Sequence, residues 1–234
     1  MILPTIFLLI ILTLSYYSSL AINGSIQAIV ADKLGDSTAK DLGYATPNPF
    51  VHFELINFLV FVFFGFFICP VLPINPFNIK NPLRFFKIFI IYFLEVVSSM
   101  FLSFVSFLGC ISFFGMSKTS SLFNYFNIYA STNLVNPHLA LFDFTSFSNV
   151  TGLILIAMTY INTVMAVTIV VFNAFKYLLL VGVEKDYVYI KYSEYLVFLI
   201  PFLTLYVTFS FLYGKVFGFI FKAALFVARL IGTL

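Results

Sequence analysis

The run RFFKIFIIYFLEVVSSMFLSFVSFLGCISFFG, residues 84–115, holds only Arg84, Lys87 and Glu95 as charged residues, and both cations lie in its first turn. It shows no period-two alternation, so it reads as a helix and not as a strand of a membrane barrel. At 1.5 Å per residue it reaches about 50 Å, whereas a hydrocarbon core is about 30 Å thick. Arg84 and Lys87 can snorkel to headgroups, so the stretch predicts a spanning helix whose first turns lie at the interface.

The rest of the chain has the same character. Of its 234 residues 62% are hydrophobic and only 9% charged, against about 25% charged in soluble domains, and its mean hydropathy is +1.09. A backbone in lipid must satisfy its own hydrogen bonds, which leaves helices or a closed barrel. The expectation is an all-α polytopic membrane protein forming one membrane domain over residues 1–234. Its predicted spans are 2–22, 53–69, 84–115, 150–181 and 195–213.

The breaks between the runs set these bounds. The first run lacks a basic start and reaches spanning length, which favours a retained helix over a secretory signal. Residues 23–50 hold Asp32, Lys33, Asp36, Lys40, Asp41 and the Pro47-Asn48-Pro49 break, and read as a solvated surface loop. Pro70, Pro73 and Pro76 stiffen the next connector. Residues 116–148, rich in Ser, Thr and Asn, read as a second surface loop, held on the membrane or on another protein. Pro201 predicts a kink, and Gly214 starts an interfacial amphipathic tail helix over 215–234; a crossing tail would make six spans. Lysine and arginine placement puts the 70–87 connector and the 182–194 turn on one face, and 23–50 and 116–148 on the other.

Several chemistries are poorly served. Two cysteines, Cys69 and Cys110, and two histidines, His52 and His138, supply neither a metal cluster nor haem ligands. No metal, cofactor, nucleic-acid partner or catalytic motif is expected. The chain has 34 Phe and 14 Tyr but no Trp; this surplus of residues read from T-rich codons points to an AT-rich genome such as a mitochondrial one.

Five groups of residues invite a functional reading. Glu95 is a carboxylate well inside an apolar span, where charge is costly, so it is either a proton- or ion-path group or a structural residue bonded to a neighbour. Ser99, Ser103, Ser106 and Cys110 recur at helical spacing and predict a small-residue packing seam. Asn162 and Asn173 share one helix face that must point into protein, and Asn162 is expected at the depth of Glu95. Lys215, Lys222 and Arg229 fall at seven-residue intervals on one face of the tail. They are candidates for anionic phospholipid such as cardiolipin or for an acidic partner helix, or are cations that snorkel to water. Asn23-Gly24-Ser25 and Asn149-Val150-Thr151 match a glycosylation sequon, a match so short that chance explains it.

Leu94-Glu95-Val96-Val97-Ser98 resembles the opening of the long helix of the ATP synthase a subunit, and Asn48-Pro49-Phe50 with Phe53-Glu54 is similar to that family's segment before its first span. That family carries an arginine in the long helix facing the rotor. This chain has no cation between Lys87 and Lys118, so membership is not inferred. The expected role is a non-catalytic membrane subunit of a larger complex in contact with other membrane subunits, in a mitochondrial respiratory-chain or ATP synthase assembly of the inner membrane. The competing expectation is a stand-alone transporter whose path uses Glu95, Asn162 and Asn173.

Overall fold

The computed structural model describes residues 2–64, 72–131, 145–182 and 215–232. Its elements are α1 (Ile2–Leu34), α2 (Thr38–Asp41), α3 (Leu55–Phe64), a 3₁₀ turn at Pro76–Asn78, α4 (Arg84–Ser131) and α5 (Phe147–Gly182), followed by a helix over 215–231, α6. No strand occurs among the described residues. Three helices, Ile6–Leu34, Arg84–Phe123 and Phe147–Ala174, are long and apolar enough to cross a membrane. The chain is therefore all-helical and compatible with an integral membrane protein.

Packing of α1, α4 and α5 makes the core. Near one end, Gln27 of α1 donates to the Ile91 carbonyl of α4; near the other, Leu8 and Ile11 share a buried cluster with Phe107, Ile111, Leu153 and Ile156. Helices α1 and α5 thus run parallel and α4 runs against both. The outer faces invert the soluble pattern. Ile6, Ile10 and Leu14 of α1 and Val97, Phe101 and Val105 of α4 are exposed, while Ser15, Ser19, Asn23, Ser99 and Ser103 are buried. Apolar side chains outside and polar ones inside is the arrangement lipid demands.

Two glycines set the ends of the long helices. Gly35, at φ 113°, follows α1 while its N–H bonds the Asp32 carbonyl and that of Asp36 bonds Ala31, the paired bonds of a Schellman stop. Gly115, at φ 73° and ψ 168°, divides α4 into two helical arms. That conformation is essentially closed to residues with a Cβ, although the space beside Gly115 is open. Gly115→Ala is accordingly expected to destabilise the fold by about 1–3 kcal/mol through the backbone alone, read as a lower midpoint in denaturant titration. An unchanged midpoint would show that the bend is not held in the folded chain.

A third glycine lets a loop approach α1. A Cβ at Gly24 would lie 2.5 Å from the His52 ring, which is buried, meets Tyr44 edge-on and places Nε2 3.2 Å from the Thr46 carbonyl oxygen. Burial lowers the pKa of His52 from its usual value, and the Thr46 contact opposes part of that shift.

The structure corrects several boundaries. Helix α1 does not end at residue 22 but continues to Leu34, so the first surface loop begins at Gly35 and not at residue 23. The reason is tertiary: Asn23 and Gln27, polar enough to suggest a loop, find partners on α4 and α5. Asn23 is fully buried, which removes the first sequon from any transferase. The predicted loop over 116–148 is helical as far as Ser131, and Leu122 of that arm is buried in the core.

The placement of the polar segments on either side of the predicted second span also changes. Asp36, just after α1, accepts hydrogen bonds from Asn75 N–H and Asn78 Nδ2, so the two polar segments before and after residues 53–69 meet at that end of the bundle, whereas Phe53 itself packs on Tyr17 midway along α1. The described part of 53–69 is α3, ten residues or about 15 Å, and its remaining residues lie outside those described. The expected opposition of the 23–50 and 70–87 segments across the membrane falls with the Asp36 contact. The predicted span 195–213 and Cys69 lie outside the described residues, and among those described three helices are long and apolar enough to cross.

Candidate functional site

The buried polar groups gather in one column between α1, α4 and α5. On α1, Ser15, Ser19, Asn23 and Gln27 recur every four residues and therefore share a face; all four are buried. Opposite them α4 presents Glu95, Ser99 and Ser103 at the same spacing, and α5 presents Thr159, Asn162 and Thr163, all buried.

Asn162 is the hub. Its Nδ2 donates to Ser19 Oγ at 2.8 Å and to the Met158 carbonyl at 2.8 Å, while its Oδ1 accepts from Asn23 Nδ2 at 3.3 Å. Asn23 Nδ2 also donates to Ser99 Oγ at 2.8 Å, which joins all three helices. One turn along, Ser103 Oγ donates to the Thr159 carbonyl at 2.9 Å and lies 2.7 Å from Thr163 Oγ1. Interhelical bonds of this kind contribute about 0.6–2 kcal/mol each in a membrane. Among the described residues three buried oxygens, Asn23 Oδ1, Ser15 Oγ and Tyr17 OH, have no hydrogen-bond partner.

The other predicted residues are distributed around this column. Asn173 donates to the Tyr92 carbonyl and so fastens the end of α5 to the start of α4. Glu95 is buried, with its backbone carbonyl accepting from Ser98 Oγ at 3.1 Å, and lies on the face of α4 one turn before Ser99. Asn162 thus sits beside the Glu95 face, through Asn23 and Ser99. The serine seam is in place too: Ser99, Ser103, Ser106 and Cys110 are all buried.

Lys215, Lys222 and Arg229 stand apart from the column, exposed on α6. The opposite side of α6 buries Ile220, Ala224 and Ala228, and Phe217 and Phe221 pack on Phe107.

Sequence reading missed Ser19, Asn23 and Asp36. The four-residue recurrence from Ser15 to Gln27 was the available signal, continuous across the point where a loop was expected. Among the described residues no group of three His, Cys, Asp or Glu side chains could hold a metal ion. The column is made of amides and hydroxyls, which pair helices well and, Glu95 apart, neither take up nor release protons near neutral pH. Comparison with protein-family models, curated proteins and solved structures finds no match to this chain.

Proposed function

We propose that the chain is a non-catalytic, membrane-embedded subunit of a larger assembly. One observation carries the reading: the amide of Asn162, a group that would line a path, is fully engaged between helices, and Asn173 likewise donates to a neighbouring helix. Side chains so engaged act as glue between helices, and a permeant ion would have to break those bonds. The most specific form of the proposal is a respiratory-chain or ATP synthase assembly of the mitochondrial inner membrane. Its support is the Phe-rich, Trp-free composition, and the genetic code and gene neighbourhood of the coding sequence test it.

The competing reading, a stand-alone transporter, draws on Glu95, a buried carboxylate beside the column. Purification in mild detergent separates the two. Co-migration with a defined set of membrane partners is the expected result. A monodisperse solitary chain that moves ions in vesicles, and loses that activity on Glu95→Gln, would sink the subunit reading.

A further inference from the structure

Helix α6 packs at the end of the bundle marked by Gly115. Ala224 and Ala228 join the cluster of Leu8, Ile11, Phe107 and Leu153; Phe107 lies about two turns before Gly115, and Leu153 about two turns after the start of α5. Phe217 also stacks on Phe123, 4.9 Å between centroids, in the second arm of α4. The aromatic contacts and the alanine face together fix which side of α6 points outward.

That outward side has an unusual pattern. Lys215, Phe219, Lys222, Phe226 and Arg229 alternate cation and phenylalanine at spacings of four and three residues, which at 100° per residue places them within an arc of about 80°. The three cations are exposed, and Phe219 and Phe226 are 65% and 64% exposed. The buried Ile220, Ala224 and Ala228 lie diametrically opposite. Water disfavours the two phenylalanines, and the hydrocarbon interior disfavours the three cations. The boundary between acyl chains and headgroups suits both at once.

Among the described residues of 2–20, 105–131, 145–158 and 215–232 every charged side chain is a cation, Lys118 being the fourth after those of α6. Lys118 donates to Ser148 Oγ at 2.9 Å and lies 5.3 Å from the Phe114 ring centroid. A cationic face with interleaved aromatics complements a phosphodiester headgroup whose acyl chains lie on the phenylalanines.

We infer that the outward ridge of α6, from Lys215 to Arg229, is a binding site for anionic phospholipid. The headgroup phosphate meets Lys222 and its neighbouring cations, and the acyl chains lie along Phe219 and Phe226. This site is independent of the subunit reading, because a solitary chain would carry it as well.

The test uses the full chain in mild detergent, titrated separately with phosphatidylglycerol and phosphatidylcholine, with retained lipid counted by native mass spectrometry. Three cations at about 1 kcal/mol each near a surface predict a preference for phosphatidylglycerol of at least about ten-fold. The triple change Lys215→Gln, Lys222→Gln and Arg229→Gln is expected to bring the ratio close to one, whereas Lys215→Arg, Lys222→Arg and Arg229→Lys together keep it. Should the glutamine variant not fold, wild type in about 1 M salt, where the screening length is about 3 Å, is expected to lose the preference. No preference in the wild type, as an acidic protein occupant would give, overturns the proposal; so does a preference that survives both neutralisation and salt.

Discussion

Replacing Asn162 by leucine is expected to lower the stability of the helix bundle by about 2–3 kcal/mol, although it makes the span more apolar. Hydropathy predicts the opposite sign, which makes the substitution diagnostic. Asn162 holds Ser19 and Asn23 of α1, and Asn23 in turn holds Ser99 of α4. Leucine removes two interhelical bonds and leaves Ser19 Oγ without its Asn162 donor in a fully buried site. Reversible unfolding in mixed detergent micelles measures the change. Ser19→Ala alone removes the bond from Asn162 and the bond that Ser19 Oγ donates to the Ser15 carbonyl within α1, and is expected to cost about 1 kcal/mol; combined with Asn162→Leu it adds less than its single effect, since the bond between the two side chains is already gone. Strict additivity, or a leucine variant as stable as wild type, would show that the column does not hold the helices together.

What could be read from the sequence follows the range of the forces that decide it. The third predicted span ended at Gly115 and the fourth covered 150–181; the structure breaks α4 at Gly115 and runs α5 over Phe147–Gly182. Both boundaries depend on local chemistry, a glycine conformation in one case and the end of an apolar run in the other. The end of α1 does not. Asn23, Ser25, Gln27 and Asp32 have the composition of a loop, and only side chains and carbonyls of α4 and α5, distant in sequence, make a buried helix of that stretch. Asn162 was legible as a residue in need of a partner, because amides in lipid always are. Its partners were not, because Ser19 falls in an apolar run that reads as a plain span and Asn23 in a polar stretch that reads as a solvated loop.

The cationic stripe shows the same division from the other side. Seven-residue spacing was enough to place Lys215, Lys222 and Arg229 on one face, and the structure exposes all three. The alternation with Phe219 and Phe226 was equally present in the sequence. It acquires meaning only when Ile220, Ala224 and Ala228 are seen buried on the opposite side, since an exposed phenylalanine on a helix of unknown orientation carries no information.

The relation of the 23–50 and 70–87 segments was the largest misreading, and a single carboxylate is responsible. Asp36 is fully buried and gathers four bonds: from Thr38 N–H and Oγ1, from Asn75 N–H at 2.7 Å and from Asn78 Nδ2 at 2.9 Å. Its last two partners lie 39 and 42 residues away, beyond any local pattern. Asp36→Ala is expected to destabilise this end of the bundle by about 2–4 kcal/mol, because bonds to a charged acceptor are worth about 1.5–3 kcal/mol each and water can reach only the outer partners. The loss should be local. The column around Asn162 lies further along the bundle and shares no partner with Asp36, so α1, α4 and α5 stay packed while the 35–50 and 72–83 segments separate. Hydrogen exchange reads this directly: the Asn75 amide loses protection in the variant, and the amides of residues 153–165 keep theirs. Asp36→Asn, which can accept through only one oxygen, is expected to fall between alanine and wild type. If the Asn75 amide exchanges as slowly in Asp36→Ala as in wild type, the two segments are not tied by this carboxylate. The opposition of the 23–50 and 70–87 segments across the membrane then stands.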